Sequence, residues 1–322
     1  MDLSVVVVSW NVRELLLRCL ASVYAQLGDD REGEVFVVDN ASGDGSAEAV
    51  ATTFPRTNLI VNVENVGFVR ANNQALARCR GRYVLLLNPD TVVGEGALAR
   101  LVDAADADPR VAAAGPMLLY PDGAVQPSRR RFPTLGTALV ESTVLQRLPI
   151  GAGLRRRFYV ADRPHDEEQD VDWLVGACLL VRRAAIEQVG LLDERFFMYS
   201  EELDWCRRLR QAGWRVRYVP TAKVVHYEAR SSEQVPVARH VHFHESRCRY
   251  FGKYEGRLAE RVLRASVVAN YAFMALEEQA KLLLGHKPDL RRQRVRTYGE
   301  VARWHLRRLL KNEDTTAGRS VC

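Results

Sequence analysis

The chain has 322 residues, enough for one large α/β domain or for one domain with an appendage. Its 47% hydrophobic and 27% charged residues exclude disorder as the default state. The net charge of +6 is concentrated: Lys281 to Lys311 holds ten Lys or Arg against Asp289 and Glu300. Such a run favours a negatively charged partner surface, membrane or nucleic acid.

Leu3 to Ser9 is the first predicted strand, and Val12 to Ala25 follows with helical spacing of Leu15, Leu16, Cys19, Leu20 and Val23. Glu34 to Val38 is the second strand, ending in Asp39-Asn40-Ala41-Ser42-Gly43-Asp44-Gly45. Ser46 to Thr53 reads as a short helix, Leu59 to Val63 as a strand, Val69 to Cys79 as a helix and Tyr83 to Leu87 as a buried strand. Glu95 to Ala107 is again helical. This alternation of continuous apolar strands with helices predicts a doubly wound α/β fold with a mostly parallel sheet.

The pattern then loosens. Pro121 to Pro149 carries turn residues and Arg129-Arg130-Arg131, and His165 to Asp170 reads as an acidic, solvated stretch. Trp173 to Val181 is predicted as one strand, Ser200 to Ala212 as a helix, and Arg215 to Val219 and Lys223 to His226 as short strands. From Val237 onward the chain reads as helix. These patterns divide it into a domain over 1–235 and a basic helical region over 236–322.

Cys19, Cys79, Cys178, Cys206, Cys248 and Cys322 form no CxxC pair, as expected of reduced thiols in a cytosolic protein. Met1-Asp2-Leu3 lacks a basic targeting region, and no run reaches the ~20 apolar residues of a membrane span. A cytoplasmic protein, free or peripheral on the inner face of the cytoplasmic membrane, is therefore expected.

Ligands of open parallel sheets bind beyond the carboxyl ends of the strands. Ser9-Trp10-Asn11, Asp39-Asn40 and Asn88-Pro89-Asp90 fall at those ends. Neither GxGxxG nor GxxxxGK[ST] is present, which argues against a dinucleotide oxidoreductase and a P-loop NTPase. Without a glycine cradle, a nucleotide's phosphates need a metal, and Asp90 offers a hard oxygen ligand for one. The bland alternative is that Asp39 and Asp90 only cap turns.

"FFMYSEELDWCRRLRQAGW" (196–214) is the second informative stretch. Projected on a helix, Trp205, Leu209 and Ala212 form a stripe that includes Glu202, with Glu201 at its edge. Asp204, Arg207, Arg208, Arg210 and Gln211 fall on the other side. A carboxylate at a helix start can simply serve the helix dipole. That explains Glu201 better than Glu202, whose apolar setting suits a general base.

In this order, "SVVVVSWN", "VVDNASGDGS", "NVGFVRANNQAL", "LLLNPDT", "WLVGACLLVRR" and "FFMYSEELDWCRRLRQAGW" resemble the family 2 glycosyltransferases of GT-A fold. "NPD" in place of DxD, with "SRRRFPT", is similar to the rhamnosyltransferase-like branch. The resemblance implies that Asp39 reads the nucleotide base, with Ser9 and Asn11 near base and ribose. It implies that Asn65, Gly67, Phe68 and Asn72 line the nucleotide and sugar side. Asn88 and Asp90 would face the donor diphosphate, with Mg²⁺ or Mn²⁺ on Asp90 and His226 as a further metal ligand; an isolated His after a strand can equally be structural. Trp173, Gly176 and Glu201 would border the acceptor, and Glu202 would be the base, where the family usually has Asp.

The implied activity is inverting transfer from a nucleotide-diphosphate sugar, dTDP-rhamnose ahead of a UDP-hexose or UDP-galactofuranose. The acceptor would be a glycan or lipid-linked glycan in cell-surface polysaccharide synthesis. A nucleotidyltransferase would need a basic triphosphate loop, and residues 9–33 offer only Arg13, Arg18 and Arg31. A non-catalytic binding module would not need Asp90 and the acid pair. Nucleic acid is not expected, because Tyr298 and Trp304 are the only aromatics in the basic run. Ala265 to Leu276 is apolar nearly all round and basic at its flanks, which suits a membrane interface, a helical subdomain or a homodimer equally.

Overall fold

The computed structural model describes residues 2–27, 33–141, 143–147, 149–227, 234–285 and 287–311. Arg31, Cys322 and the end of the region 236–322 lie outside them. The five remaining cysteines are free and buried. No helix among the described residues is long and apolar enough to cross a membrane.

The N-terminal half alternates as its apolar runs dictate: β1 (Leu3–Ser9), α1 (Arg13–Leu27), β2 (Gly33–Asp39), α2 (Ser46–Thr53), β3 (Asn58–Val61), α3 (Phe68–Leu76) and β4 (Tyr83–Leu87). Next come β5 (Thr91–Val93), α4 (Ala97–Ala107), β6 (Val111–Leu119), β7 (Val125–Gln126), β8 (Arg129–Arg130), α5 (Leu135–Val140) and α6 (Ala152–Phe158). The remainder is β9 (Gln169–Val171), β10 (Trp173–Leu174), β11 (Cys178–Arg182), α7 (Arg183–Val189), α8 (Glu201–Gln211), β12 (Arg215–His226), α9 (Pro236–Glu255), α10 (Arg257–Leu283) and α11 (Pro288–Lys311).

Two compact units result. The first comprises Met1–Phe132, Tyr159–Glu194 and Glu201–Ser231; the second comprises Pro133–Phe158, Arg195–Ser200 and Ser232–Cys322. A single boundary near residue 235 leaves the two short inserts of the second unit in the first domain.

The first unit holds a ten-stranded sheet of order β3-β2-β1-β4-β11-β6-β12-β5, with β7 on β6 and β9 on β12. Pairs β3–β2, β2–β1, β1–β4 and β6–β12 are parallel. β11 runs against both of its neighbours, β4 and β6. Val5, Val7, Val37, Leu85 and Leu180 pack with Leu16, Leu20 and Leu101 of the covering helices in one core. Burial on both faces explains why these strands read as continuous apolar runs.

Three elements differ from the sequence reading. Trp173 to Val181 is not one strand: β10 joins β8 in a separate two-stranded sheet, and the chain turns through Val175–Ala177 before β11. Arg215–Val219 and Lys223–His226 form one strand whose register shifts around Pro220. β6 carries no sequence forecast because its Ala, Gly and Pro have low strand propensity, yet it is buried between β11 and β12.

In the second unit, α9, α10 and α11 share a small apolar core of Val241, Val267, Tyr271 and Val301. Beside it lies a buried ionic network. Arg264 Nη1 stands 2.6 Å from Glu245 Oε2, Arg264 Nη2 stands 2.8 Å from Glu260, and Arg249 and Arg308 also reach Glu245.

Candidate active site

The register β1–β2 sets Ser9 beside Asp39 at the carboxyl ends of both strands. Both side chains are buried, and Ser9 Oγ and Asp39 Oδ1 have no hydrogen-bond partner. Asp39 Oδ2 accepts the Ser42 N–H at 2.9 Å, which fixes the carboxylate and leaves Oδ1 for a ligand. Unpaired buried polar atoms are costly, so two of them side by side mark a place where a ligand supplies partners.

Asn11 holds the adjoining loop. Its N–H donates to Ser42 Oγ at 3.0 Å, and its Oδ1 accepts the Gly43 N–H at 2.8 Å. Its φ of 52° is left-handed, which asparagine tolerates. Asn65 Oδ1 accepts from Asn40 Nδ2 and from the Gly67 N–H. Gly67, at φ 89°, turns the chain into α3 where a side chain would be strained. Phe68 begins that helix, and its carbonyl accepts from the buried Asn72 Nδ2 at 2.8 Å.

Asn40, to which the sequence reading assigns no role, is the hub of this edge. Its Oδ1 accepts from Asn62 Nδ2 and the Val66 N–H, while its Nδ2 reaches Asn65. The available signal is its position directly after Asp39.

Asn88-Pro89-Asp90 follows β4. The Asn88 N–H donates to the Ala177 carbonyl, and its own carbonyl accepts from Thr91 Oγ1 at 2.7 Å. Cys19 Sγ contacts Thr91 Oγ1 at 3.5 Å beneath this turn, and burial pushes its thiol up to about 12, so it is packing rather than a nucleophile. The pairing β12–β5 sets His226 opposite Thr91, and the Tyr227 N–H donates to the Asp90 carbonyl. Asp90 and His226 are thereby brought together: His226 Nε2 is 3.3 Å from Asp90 Oδ1.

His226 Nδ1 lies 2.9 Å from Gln126 Oε1, an acceptor for a hydrogen on Nδ1, and Nε2 is the nitrogen that faces Asp90. Nε2 is buried and makes no hydrogen bond of its own. An orphaned imidazole nitrogen next to a buried carboxylate, with the other ring nitrogen fixed by a side chain, suits a divalent cation. Among the described residues no third His, Cys, Asp or Glu completes a ligand set. That fits an ion whose remaining ligands are substrate phosphates and water.

At the start of α8 the two glutamates differ from their helical projection. Glu201 is buried at 6% exposure, more deeply than Glu202, rather than lying at the edge of the stripe. Asp204, projected opposite the apolar stripe, is fully buried, and Arg208 Nε pairs with it at 2.9 Å. The same guanidinium donates to the carbonyls of Val189 and Leu191, so Arg208 acts as an inward clamp.

Burial raises the Glu202 carboxyl above its ordinary range, and the N–H groups of Glu202, Gly176 and Leu203 and the charge of Arg130 draw it back down. Burial and the Glu202 charge hold Glu201 well above that range. One oxygen of each, Oε2, has no hydrogen-bond partner.

Gly176 borders this pair closely. A Cβ there would lie 3.4 Å from both Cβ and Cγ of Glu202, so Gly176 packs directly against that side chain. Trp173 Nε1 donates to the Arg131 carbonyl, and β10–β8 pairing sets Trp173 opposite Arg130. Arg130 lies over the rings of Tyr159 at 4.3 Å and Trp173 at 5.9 Å. A buried carboxylate beside a glycine-lined turn and a caged cation can accept a proton from a bound hydroxyl.

The sequence profile of glycosyl transferase family 2 matches residues 4–190. The chain belongs to glycosyl transferase family 2. This glycosyltransferase is 36% identical over 258 residues to the N-acetylglucosaminyl-diphospho-decaprenol L-rhamnosyltransferase of Mycobacterium tuberculosis, covering 76% of this chain and 82% of that one. It is 29% identical over 171 residues to the rhamnosyltransferase WbbL of Escherichia coli, covering 50% and 61% of the two chains. Among solved structures it resembles the mannosyltransferase PcManGT of Pyrobaculum calidifontis, in complex with GDP-Man and Mn²⁺, with a TM-score of 0.57 at 20% identity over 97% of this chain and 88% of that one. The transferase therefore has the GT-A fold, as its sequence motifs lead one to expect.

Proposed function

We propose that this glycosyltransferase moves L-rhamnose from dTDP-L-rhamnose to a hydroxyl of a lipid-linked glycan, with inversion at the anomeric carbon, in cell-surface polysaccharide synthesis. The donor and acceptor classes rest on the relatives, which are named as rhamnosyltransferases and, for the mycobacterial one, with an acceptor on decaprenyl diphosphate. The observation that carries the chemistry is Glu202, a buried carboxylate held against Gly176 with Oε2 unpartnered.

In this reading Asp39 Oδ1 accepts the imide N–H of the base, with Ser9 beside it. Thymine and uracil share that N–H, so a UDP-hexose or UDP-galactofuranose donor is the second reading the same residues favour. Asp90 and His226 would hold Mg²⁺ or Mn²⁺, which when bound offsets negative charge on the leaving nucleoside diphosphate. Glu202 Oε2 takes the proton of the acceptor hydroxyl. That oxygen bonds to the anomeric carbon as the bond to the donor phosphate breaks on the opposite face. A single base and one displacement give inversion. Trp173 and Gly176 border the acceptor, and the protonated Glu202 returns its proton to solvent.

The test is transfer from dTDP-rhamnose, UDP-glucose and UDP-galactofuranose to a short-chain lipid diphosphate sugar, with and without added Mn²⁺. NMR of the product reads the anomeric configuration. Product from dTDP-rhamnose alone, inverted, is expected; retention at the anomeric carbon would sink the mechanism.

A further inference from the structure

Helix α10 leaves one long face uncovered. Its exposed positions are Arg257, Leu258, Arg261, Val262, Ala265, Ala269, Ala272, Phe273, Leu276, Gln279, Ala280 and Leu283; none is acidic. Leu258, Val262, Ala265, Ala269, Ala272 and Leu276 follow one another at steps of three or four, which is one face of a helix. The exposure is large where the side chains are large: Phe273 51%, Leu276 70%, Leu283 79% and Leu284 84%. Exposed apolar side chains in a contiguous run mark an interaction surface rather than chance.

The neighbouring helix supplies an excess of positive charge, although Arg292 pairs with Asp289 and Arg296 with Glu300. Arg292, Arg296, Arg303 and Arg307 of α11 are all exposed and spaced by four, seven and four residues, again one helix face. Lys287, Arg294 and Lys311 are exposed as well, against Asp289 as the exposed acid of this helix and its lead-in. Leu290, Leu306 and Leu310 stand exposed among these cations. The carboxylates of α10 do not balance them outward: Glu278 is buried on Arg291, Glu260 is tied to Arg264, and Glu277 is engaged by Lys281 and Arg147.

We propose that the α10–α11 hairpin is a docking surface for anionic lipid, with Phe273, Leu276, Leu283 and Leu284 entering the acyl boundary and the α11 arginines meeting the headgroups. Charge complementarity selects this partner over a second copy of the chain. Two copies would bring the same excess of exposed arginines together, whereas an anionic leaflet neutralises it. The purpose of such a surface rests on the lipid-linked acceptor proposed above, since an acceptor confined to a bilayer must be met there. The binding itself does not depend on that reading.

Flotation of the full chain with vesicles tests this, with no sugar donor or acceptor present. Vesicles of phosphatidylcholine alone are compared with phosphatidylcholine mixed with phosphatidylglycerol, at low and high NaCl. Binding to the anionic vesicles that weakens with salt is expected. Leu276→Glu with Leu283→Glu should abolish it. Arg296→Ser, Arg303→Ser and Arg307→Ser together should weaken it about a hundredfold, at about one kcal/mol for each cation near an anionic surface. Both variants touch only exposed side chains, so far-ultraviolet circular dichroism and transfer to a water-soluble acceptor should be unchanged. Equal flotation on neutral and anionic vesicles, or none on either, overturns the proposal. So does light scattering that shows a dimer in the wild type and a monomer in the leucine variant without vesicle binding, which assigns the face to a second copy.

Discussion

His226 Nε2 stands 3.3 Å from Asp90 Oδ1 because β12 ends where β5 begins, and Gln126 turns the other ring nitrogen away. Asp90→Asn should remove Mn²⁺-dependent binding of nucleoside diphosphate. Gln126→Leu, which leaves both ligands in place, should weaken metal affinity by about 10–100-fold through loss of ring orientation. Calorimetry with Mn²⁺ and the nucleotide reads both; unchanged affinity in Gln126→Leu would show that the histidine is held by packing alone.

Asp39 accepts one backbone N–H and leaves Oδ1 buried and unpaired beside Ser9. Asp39→Ala should cost about 1–3 kcal/mol in affinity for dTDP or UDP. Affinity for a sugar phosphate without a base should not change. A titration in which the variant binds the nucleotide as tightly as wild type removes the base-reading role.

Glu202→Gln should slow single-turnover transfer by about 10²–10⁴-fold at saturating donor, since the amide cannot take a proton. Glu202→Asp should recover part of the rate. Burial raises the Glu202 carboxyl, so the rate should fall on the acid side as that carboxyl protonates. Arg130→Gln removes a charge that favours the carboxylate and should move this acid limb to higher pH, whereas Arg130→Lys should largely restore it. An unmoved limb in Arg130→Gln would limit Arg130 to holding β8 against Trp173.

Glu201 is buried and raised further than its neighbour, which makes a stability experiment informative. A carboxyl raised in the folded state binds its proton more tightly there. Its stabilising contribution is complete below the ordinary carboxylate range and is lost as pH rises through the raised value. Glu201→Gln has no such proton to lose. Its Tm should therefore gain on the wild type as pH rises above the ordinary carboxylate range and through the raised value. A constant difference across that range would mean that Glu201 ionises as freely folded as unfolded. Transfer should be milder in its loss than for Glu202→Gln.

In the second unit, Arg264 is the centre of a buried network with Glu245 and Glu260. Arg264→Met should destabilise by about 3–5 kcal/mol, because Glu245 is left buried with fewer compensating charges. Urea unfolding measures it; a shift under one kilocalorie would place the network's weight on Arg249 and Arg308.

The sheet was legible where burial on both faces writes an unbroken apolar run. β1, β4 and α2 fall on the bounds their sequence predicts. It was not legible in β6, where Ala112, Ala113, Ala114 and Gly115 trade propensity for close packing between two strands. Asp90 and Glu202 stood out because a carboxylate in apolar surroundings is rare. The depth of Glu201 and Asp204 did not, because a helical projection ranks faces without knowing that Arg208 folds inward to meet Asp204. The Asp90–His226 encounter was expected through the family resemblance alone, since it needs a register between two distant strands that no local pattern carries. Gln126 and Asn40 were missed for a related reason: their roles are hydrogen bonds to partners far along the chain.

The bond from the Asn88 N–H to the Ala177 carbonyl stitches the turn after β4 to the loop that precedes β11. Since β11 runs antiparallel to β4, with Cys178 opposite Leu87, position 177 is a fixed hinge pin between the two. Among the hydrogen bonds described, the one at position 177, not those of residues 173–176, ties this loop to the turn that carries Asp90. Grafting residues 173–176 from a relative with another acceptor should therefore transplant acceptor choice as a cassette. A graft that runs one residue further and brings a larger side chain to the buried Ala177 should disturb the turn that carries the donor side.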